Sequence, residues 1–235
     1  MIKFIFRAIS FRWILIFHLL FFIPAGFAQH LSSIGISGYA AFPIGNLADW
    51  YSLTPEIGTE LQFKPRSNLG IELQYQFAYF GNGAIEEKAF QWPVDKAYYQ
   101  SPQADANMTT HSLQVNFLFY VNKRTVLGKN MIPYITLGSG FFAFQNHVEN
   151  LIYPGQASRP LDTSLKLPAI TDEQVALSAN LGIGLDIPVS RKISLDLRLR
   201  YHLIMGTIRP FEDWEMEEVF PLQMFDSGLS IQYQL

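Results

Sequence analysis

The chain has 235 residues, a formal net charge of −3 and no cysteine. An acidic chain lacks the basic surface that phosphate binding needs, which argues against nucleic acid as a partner. The missing cysteines exclude disulfides as a source of stability. The composition is unusual for a water-soluble protein, at 49% hydrophobic, 15% aromatic and 16% charged.

The first residues set the compartment. Lys3, Arg7 and Arg12 form a basic region ahead of the apolar run 13–23, which is too short to cross a bilayer as a helix. Pro24 ends the run. Gly26 and Ala28 then place small residues three and one positions before a cut ahead of Gln29. Residues 1–28 are expected to be a cleaved signal peptide and 29–235 the mature domain, a short N-terminal anchor being the alternative. The cut removes three positive charges and leaves 14 basic against 20 acidic residues.

Beyond residue 28 no stretch approaches the ~18 apolar residues of a membrane helix. The apolar residues are dispersed by alternation instead, and period two separates two faces as only a strand does. Eight segments carry the pattern: 33–42, 56–64, 69–80, 111–121, 132–145, 175–187, 193–205 and 225–235. In 193–205, Ile193, Leu195, Leu197, Leu199, Tyr201, Leu203 and Met205 share one face. Ser194, Asp196, Arg198, Arg200 and His202 share the other. Segment 132–145 is apolar on both faces near Phe141, Phe142 and Phe144, which leaves its facing open.

Connections alternate in length. Those at 65–68, 122–131 and 188–191 are short; those at 43–55, 81–110, 146–173 and 206–224 are long. An all-β, eight-stranded antiparallel up-and-down transmembrane β-barrel has this order, with short periplasmic turns and long extracellular loops. A soluble ligand-binding barrel shows the same alternation turned inside out. The polar set suits a lumen, and Tyr75, Tyr79, Tyr201 and Tyr233 suit aromatic girdles. The loop aromatics Trp50, Tyr51, Trp92, Tyr98, Tyr99 and Trp214 read equally as girdle or as loops packed on one another.

An eight-stranded bore has room only for side chains, and buried charges must be paired. The expected lumen network is Glu60, Glu72, Asp186, Asp196, Arg198, Arg200, His202 and Asp226. Folding strands six and seven across 188–191 is expected to set Gly184 near Asp196, Gly182 near Arg198, Asn180 near Arg200 and Ser178 near His202. Gly138, Gly140, Gly182 and Gly184 then read as room-makers inside the barrel, not as phosphate loops. A narrow gated ion path is the alternative to this polar plug.

Glu212, Asp213, Glu215, Glu217 and Glu218 crowd the last loop, read as a solvated face or as a site for cation-bridged contact with lipopolysaccharide or a basic protein. His30, His111, His147 and His202 lie far apart, so no metal or other cofactor is expected. His111 and Ser112 are neighbours on a strand and point to opposite faces, which denies them a shared catalytic role.

The chain end carries a resemblance. Asp226, Gly228, Ile231 and Tyr233 resemble the C-terminal signal read by the outer-membrane assembly machinery, with the departure that Gln234 and Leu235 follow the aromatic residue. With the leader and the alternation, the mature chain resembles the porin-like outer-membrane β-barrel family of Gram-negative bacteria, in the architecture of the OmpA membrane domain and OmpX. On this reading no segment is expected to supply OmpA's periplasmic peptidoglycan-binding domain. The resemblance implies outer-membrane insertion, contact with lipopolysaccharide and with the assembly machinery, and no one activity. The reading is a non-enzymatic envelope component acting through its extracellular loops, with an unidentified envelope partner. A small channel, a lipid-modifying enzyme and a soluble barrel are the alternatives.

Overall fold

Alternation over 9–14 residues cannot be satisfied by one strand alone, because each strand needs both backbone edges paired. The chain meets this by closing on itself. A computed structural model describes residues 31–235 apart from 82, 93, 122, 123, 127, 128, 154, 159 and 209–218, with the side chains of 90, 124–126, 129 and 130 also undescribed. Eight barrel strands run β1 (Leu31–Ile44), β2 (Thr54–Arg66), β3 (Leu69–Phe80), β4 (Asp105–Tyr120), β5 (Lys129–Glu149), β6 (Ile170–Pro188), β7 (Ile193–Ile204) and β8 (Leu222–Gln234). Each pairs antiparallel with the next, and β1 pairs with β8, so the sheet is closed. The expected leader lies outside the described residues.

All eight expected strands are present, several longer than their alternation indicated. β4 starts at Asp105, inside the expected loop, and β5 and β6 span 21 and 19 residues. Following paired residues around the wall from Ser33 gives Gln62, Glu72, Asn116, Gly138, Asn180, His202, Met224 and then Pro43. The circuit returns to β1 ten residues beyond its start, a stagger that tilts the strands by about 40°.

Two short turns show how sequence sets register. Between β2 and β3, Pro65 cannot donate to the ladder, and the pairing shifts between Phe63 and Arg66 before a two-residue turn. Between β6 and β7, the Ser190 hydroxyl accepts the amide protons of Lys192 (3.2 Å) and Ile193 (3.1 Å). Val189 and Ser190 donate to the Ile193 carbonyl. This centres the turn on Arg191, one residue later than 188–191 implied, so every cross-strand partner moves by two. The observed pairs are Asp196 with Asp186, Arg198 with Gly184, Arg200 with Gly182, and His202 with Asn180; Ser178 faces Ile204. A shift of two changes the expected register but leaves each residue on the same face.

Apolar side chains point outward. Ile36 and Ile57 are 64% exposed and Leu197 45%, with Leu199, Leu229, Ile231 and Tyr233 beside them. Polar side chains point inward and are buried, Glu72, Gln74, Gln114, Asn116 and Arg200 completely. That rules out the inside-out soluble barrel, whose apolar face would line the cavity. In β5, Phe141 faces out at 52% exposure and Phe142 faces in at 3%, which settles the facing of 132–145.

The lumen is not polar throughout, as the alternation suggested. Its loop end is apolar: Ala78, Phe80, Ala106, Met108, Phe142, Phe144, Ala176, Ile204, Leu222 and Met224 form one cluster there. All four long connections add to it, with Leu47, Trp50 and Tyr51 from the first, Ile85 and Ala104 from the second, Leu151 from the third, and Ile208 and Val219 from the fourth.

Candidate functional site in the barrel interior

The polar half of the lumen is built around two arginines on β7. Their positions at 198 and 200 share the inner face, and each reaches across the bore. Arg198 grips Glu72 of β3 with both terminal nitrogens (2.5 and 2.8 Å) and Asp196 with one of them (2.8 Å). Its Nε donates to the Tyr134 hydroxyl at 2.7 Å, and that hydroxyl donates to Asp196 at 2.6 Å. Asn116 adds a bond to Glu72 at 2.9 Å. A bidentate arginine–carboxylate pair is the strong form of this interaction, and it is fully buried.

Arg200 donates to Gln74 and, at 3.3 Å, to Asp226, and its guanidinium lies 5.2 Å from the centre of the Tyr39 ring. His202 Nε2 is 2.8 Å from the same Asp226 oxygen. Gln114 reaches His202 Nδ1 at 3.3 Å, while its own carbonyl oxygen accepts from Asn180. Glu60 accepts from the amides of Gln232 at 3.1 Å and Gln74 at 3.4 Å. Asp186 stands apart from the arginines, 3.8 Å from Lys64 near the turn end.

Close packing explains the glycines. A Cβ on Gly184 would collide with the Tyr134 ring, and one on Gly182 would lie 2.5 Å from the Arg200 stem. A Cβ on Gly228 would lie 2.6 Å from the Tyr39 ring. The glycine of the expected assembly signal therefore has a structural duty in letting Tyr39 cross the bore. Ile231 and Tyr233 of that signal lie on the outer face.

The expected network left out Glu56, Tyr39, Tyr134 and the amides Gln74, Gln114, Asn116 and Gln232, and gave Asn180 only as a neighbour of Arg200. The parity that found Glu60 and Arg198 places all of them on the inner face. The expected network was drawn from charged side chains, which accounts for the omitted amides and tyrosines but not for Glu56.

The loops are tied to one another. Ala84 donates to the Trp50 carbonyl, and Ile152 to the Ser101 hydroxyl. Ile208 and Val219 form a β-bridge, and Trp92 meets Tyr153 edge-on at 6.5 Å. Tyr51 donates to Asn146 of β5, and burial pushes its phenol up from the ordinary range. Loop packing thus claims Trp50 and Tyr51, while Tyr98 is exposed. Trp214 and the acidic run Glu212, Asp213, Glu215, Glu217 and Glu218 lie outside the described residues.

On the outer wall above the apolar band, His147 Nδ1 is 2.9 Å from Thr171, with Glu149 3.8 Å from Nε2. That carboxylate is beyond hydrogen-bond reach and does not orient the imidazole. His111 faces outward and meets Tyr75 at 2.8 Å, while Ser112 is buried. Among the described residues no three His, Asp or Glu side chains converge as a metal would require.

No protein-family model matches the chain, and no curated protein does. Solved structures do. A major outer membrane protein of Thermus thermophilus is 14% identical, with a TM-score of 0.48 over 88% of this chain and all (100%) of that one. Ail, the attachment invasion locus protein of Yersinia pestis, is 13% identical, with a TM-score of 0.45 over 88% and 99%. The outer membrane protease OmpT of Escherichia coli is 6% identical, with a TM-score of 0.40 over 88% and 95%. These likenesses are too distant to lend this chain a residue role, and their own names range from attachment to proteolysis. The closed ring, the outward apolar band and the filled polar bore are by themselves the architecture of an eight-stranded outer-membrane β-barrel.

Proposed function

We propose that the protein is a non-enzymatic component of the outer membrane of a Gram-negative bacterium, a sealed barrel that acts through the surface its extracellular loops present. The observation that carries this reading is the double closure of the bore. Its turn half is filled by two arginines bonded to Glu72, Asp196, Gln74 and Asp226, and its loop half by an apolar core to which all four loops contribute. Ion passage needs hydrated groups along a continuous path, and a packed apolar layer interrupts it. Loops anchored in a shared core also present a fixed surface, which lowers the entropy lost on binding a partner.

The expected contacts follow the envelope position. The apolar band meets outer-membrane lipid. The acidic loop 212–218 meets lipopolysaccharide phosphates through divalent cations, or a basic envelope protein. The C-terminal strand meets the assembly machinery. The test is planar-bilayer recording joined to fractionation of native envelopes. Protein recovered with outer membranes, faster on an unheated detergent gel than after boiling, and silent in the bilayer supports the proposal. Steady large conductance, or recovery as a soluble periplasmic protein, overturns it.

A further inference from the structure

The two ends of the barrel carry opposite charge. The three turns with their flanks, 64–68, 121–131 and 189–192, hold seven basic residues and no acidic one. The four connections at the other end, 45–53, 81–104, 150–169 and 205–221, hold ten acidic residues against five basic ones. The turns do not need their cations to form. Pro65 and the pairing shift beside it set one, and the Ser190 hydroxyl sets another.

One of the turn cations is engaged within the mouth of the bore. Lys64 is half-buried there, 3.8 Å from Asp186 and 5.2 Å from the centre of the Tyr120 ring. Arg66, Arg191 and Lys192 are exposed, and among the described residues no carboxylate pairs with them. The outer wall fixes the height of Lys192. Ile193 of β7 and Tyr233 of β8 are paired, and both face outward. The Lys192 ammonium donates to the Tyr233 hydroxyl at 3.2 Å and lies 5.7 Å from the ring centre. An outward tyrosine near the end of an apolar strand face sits where hydrocarbon gives way to headgroups. The ammonium is therefore held against the lipid side of the rim, at the level of lipid phosphates.

We propose that this rim binds anionic phospholipid headgroups of the leaflet at the turn end, with Arg66, Arg191 and Lys192 meeting their phosphates. The proposal rests on the barrel lying in lipid, as read above. Charge complementarity selects a headgroup with net negative charge, because a zwitterionic one brings its own cation to compete. An acidic soluble protein would also suit a basic rim, but the seat of Lys192 on an outward-facing tyrosine favours lipid.

The test is to fold the purified protein into vesicles of equal parts phosphatidylglycerol and phosphatidylcholine, release it into mild detergent, and identify the retained lipids by native mass spectrometry. The wild type should retain phosphatidylglycerol in preference, and less so as salt rises. Neutralising Arg66→Gln, Arg191→Gln and Lys192→Gln together should cut that preference at least about fivefold, the effect of one cation near an anionic surface. Lys192→Arg should keep it, and so should Lys96→Gln with Lys166→Gln in the loops. Equal retention of the two lipids by the wild type, an unchanged preference in the triple variant, or an equal loss in the loop variant would overturn the proposal. So would a wild type indifferent to phosphatidylglycerol that instead binds soluble polyglutamate, which would mark a protein surface. A barrel that enters vesicles without preference defeats this proposal alone, whereas one that fails to enter them defeats the membrane reading with it. The wild-type comparison decides even if the triple variant does not fold.

Discussion

At the turn end of the bore, Arg198, Glu72, Asp196 and Tyr134 fill space with directional bonds; at the loop end, Phe80, Met108, Phe144 and Ile204 fill it with close contact. The two halves lie inside one wall, yet they answer to different physics. Each buried charge depends on a particular partner, so deleting one strands another. An apolar side chain depends on many neighbours a little, so deleting one leaves a hole that neighbours partly refill. The turn half therefore specifies the barrel, and the loop half couples the loops to it.

Substitutions can break or sharpen this contrast. Arg198→Ala should be the most damaging, costing about 3–5 kcal/mol because Glu72 and Asp196 lose their cation. Urea unfolding in vesicles measures it, and adding Glu72→Gln should recover part of the loss. Equal stability of wild type and Arg198→Ala would mean the network is ornamental. Phe80→Ala at the loop end should cost about 3 kcal/mol. Its signature should be local: loops cut faster by protease while the gel shift on boiling persists. Loss of the barrel itself would erase the distinction between the halves.

Leu197→Arg moves the same guanidinium one residue along β7, to the outer face. There it should cost about 2 kcal/mol in refolding into lipid, against the stabilisation Arg198 provides within. A neutral result would show that this face does not meet lipid. The smallest effect belongs to Tyr51→Phe, which removes one bond to Asn146 and should cost about 1 kcal/mol. Protease sensitivity of the first loop should rise slightly, with the polar network untouched.

The sequence shows these halves unequally. Period two exposed all eight strands and the inward set around Arg198, because lipid outside and charge inside reinforce the same alternation. The apolar end was hidden for the opposite reason. Where Phe142 and Phe144 face inward, both faces are apolar and the period disappears; Ala106 and Met108 sat in a stretch read as loop. Register failed at one turn because the Ser190 hydroxyl, not the hydrophobic pattern, chose its centre. The ion pairs within the bore were legible only as a set, since a cross-bore partner such as Glu72 for Arg198 is fixed by stagger and not by sequence proximity.

The seam between β1 and β8 has a kinetic meaning. It joins Ser33 to Gln234 and Ile44 to Gln223, so the ring closes through contacts spanning almost the whole described chain. Such high contact order makes folding slow, since chain entropy is surrendered before the seam repays it. Until β8 docks, β1 and β7 are open edges that would pair with any extended chain nearby. The strand made last is thus the one whose arrival ends the hazard. A chain halted before Leu222 should aggregate and not form a smaller barrel, however well its first seven strands alternate.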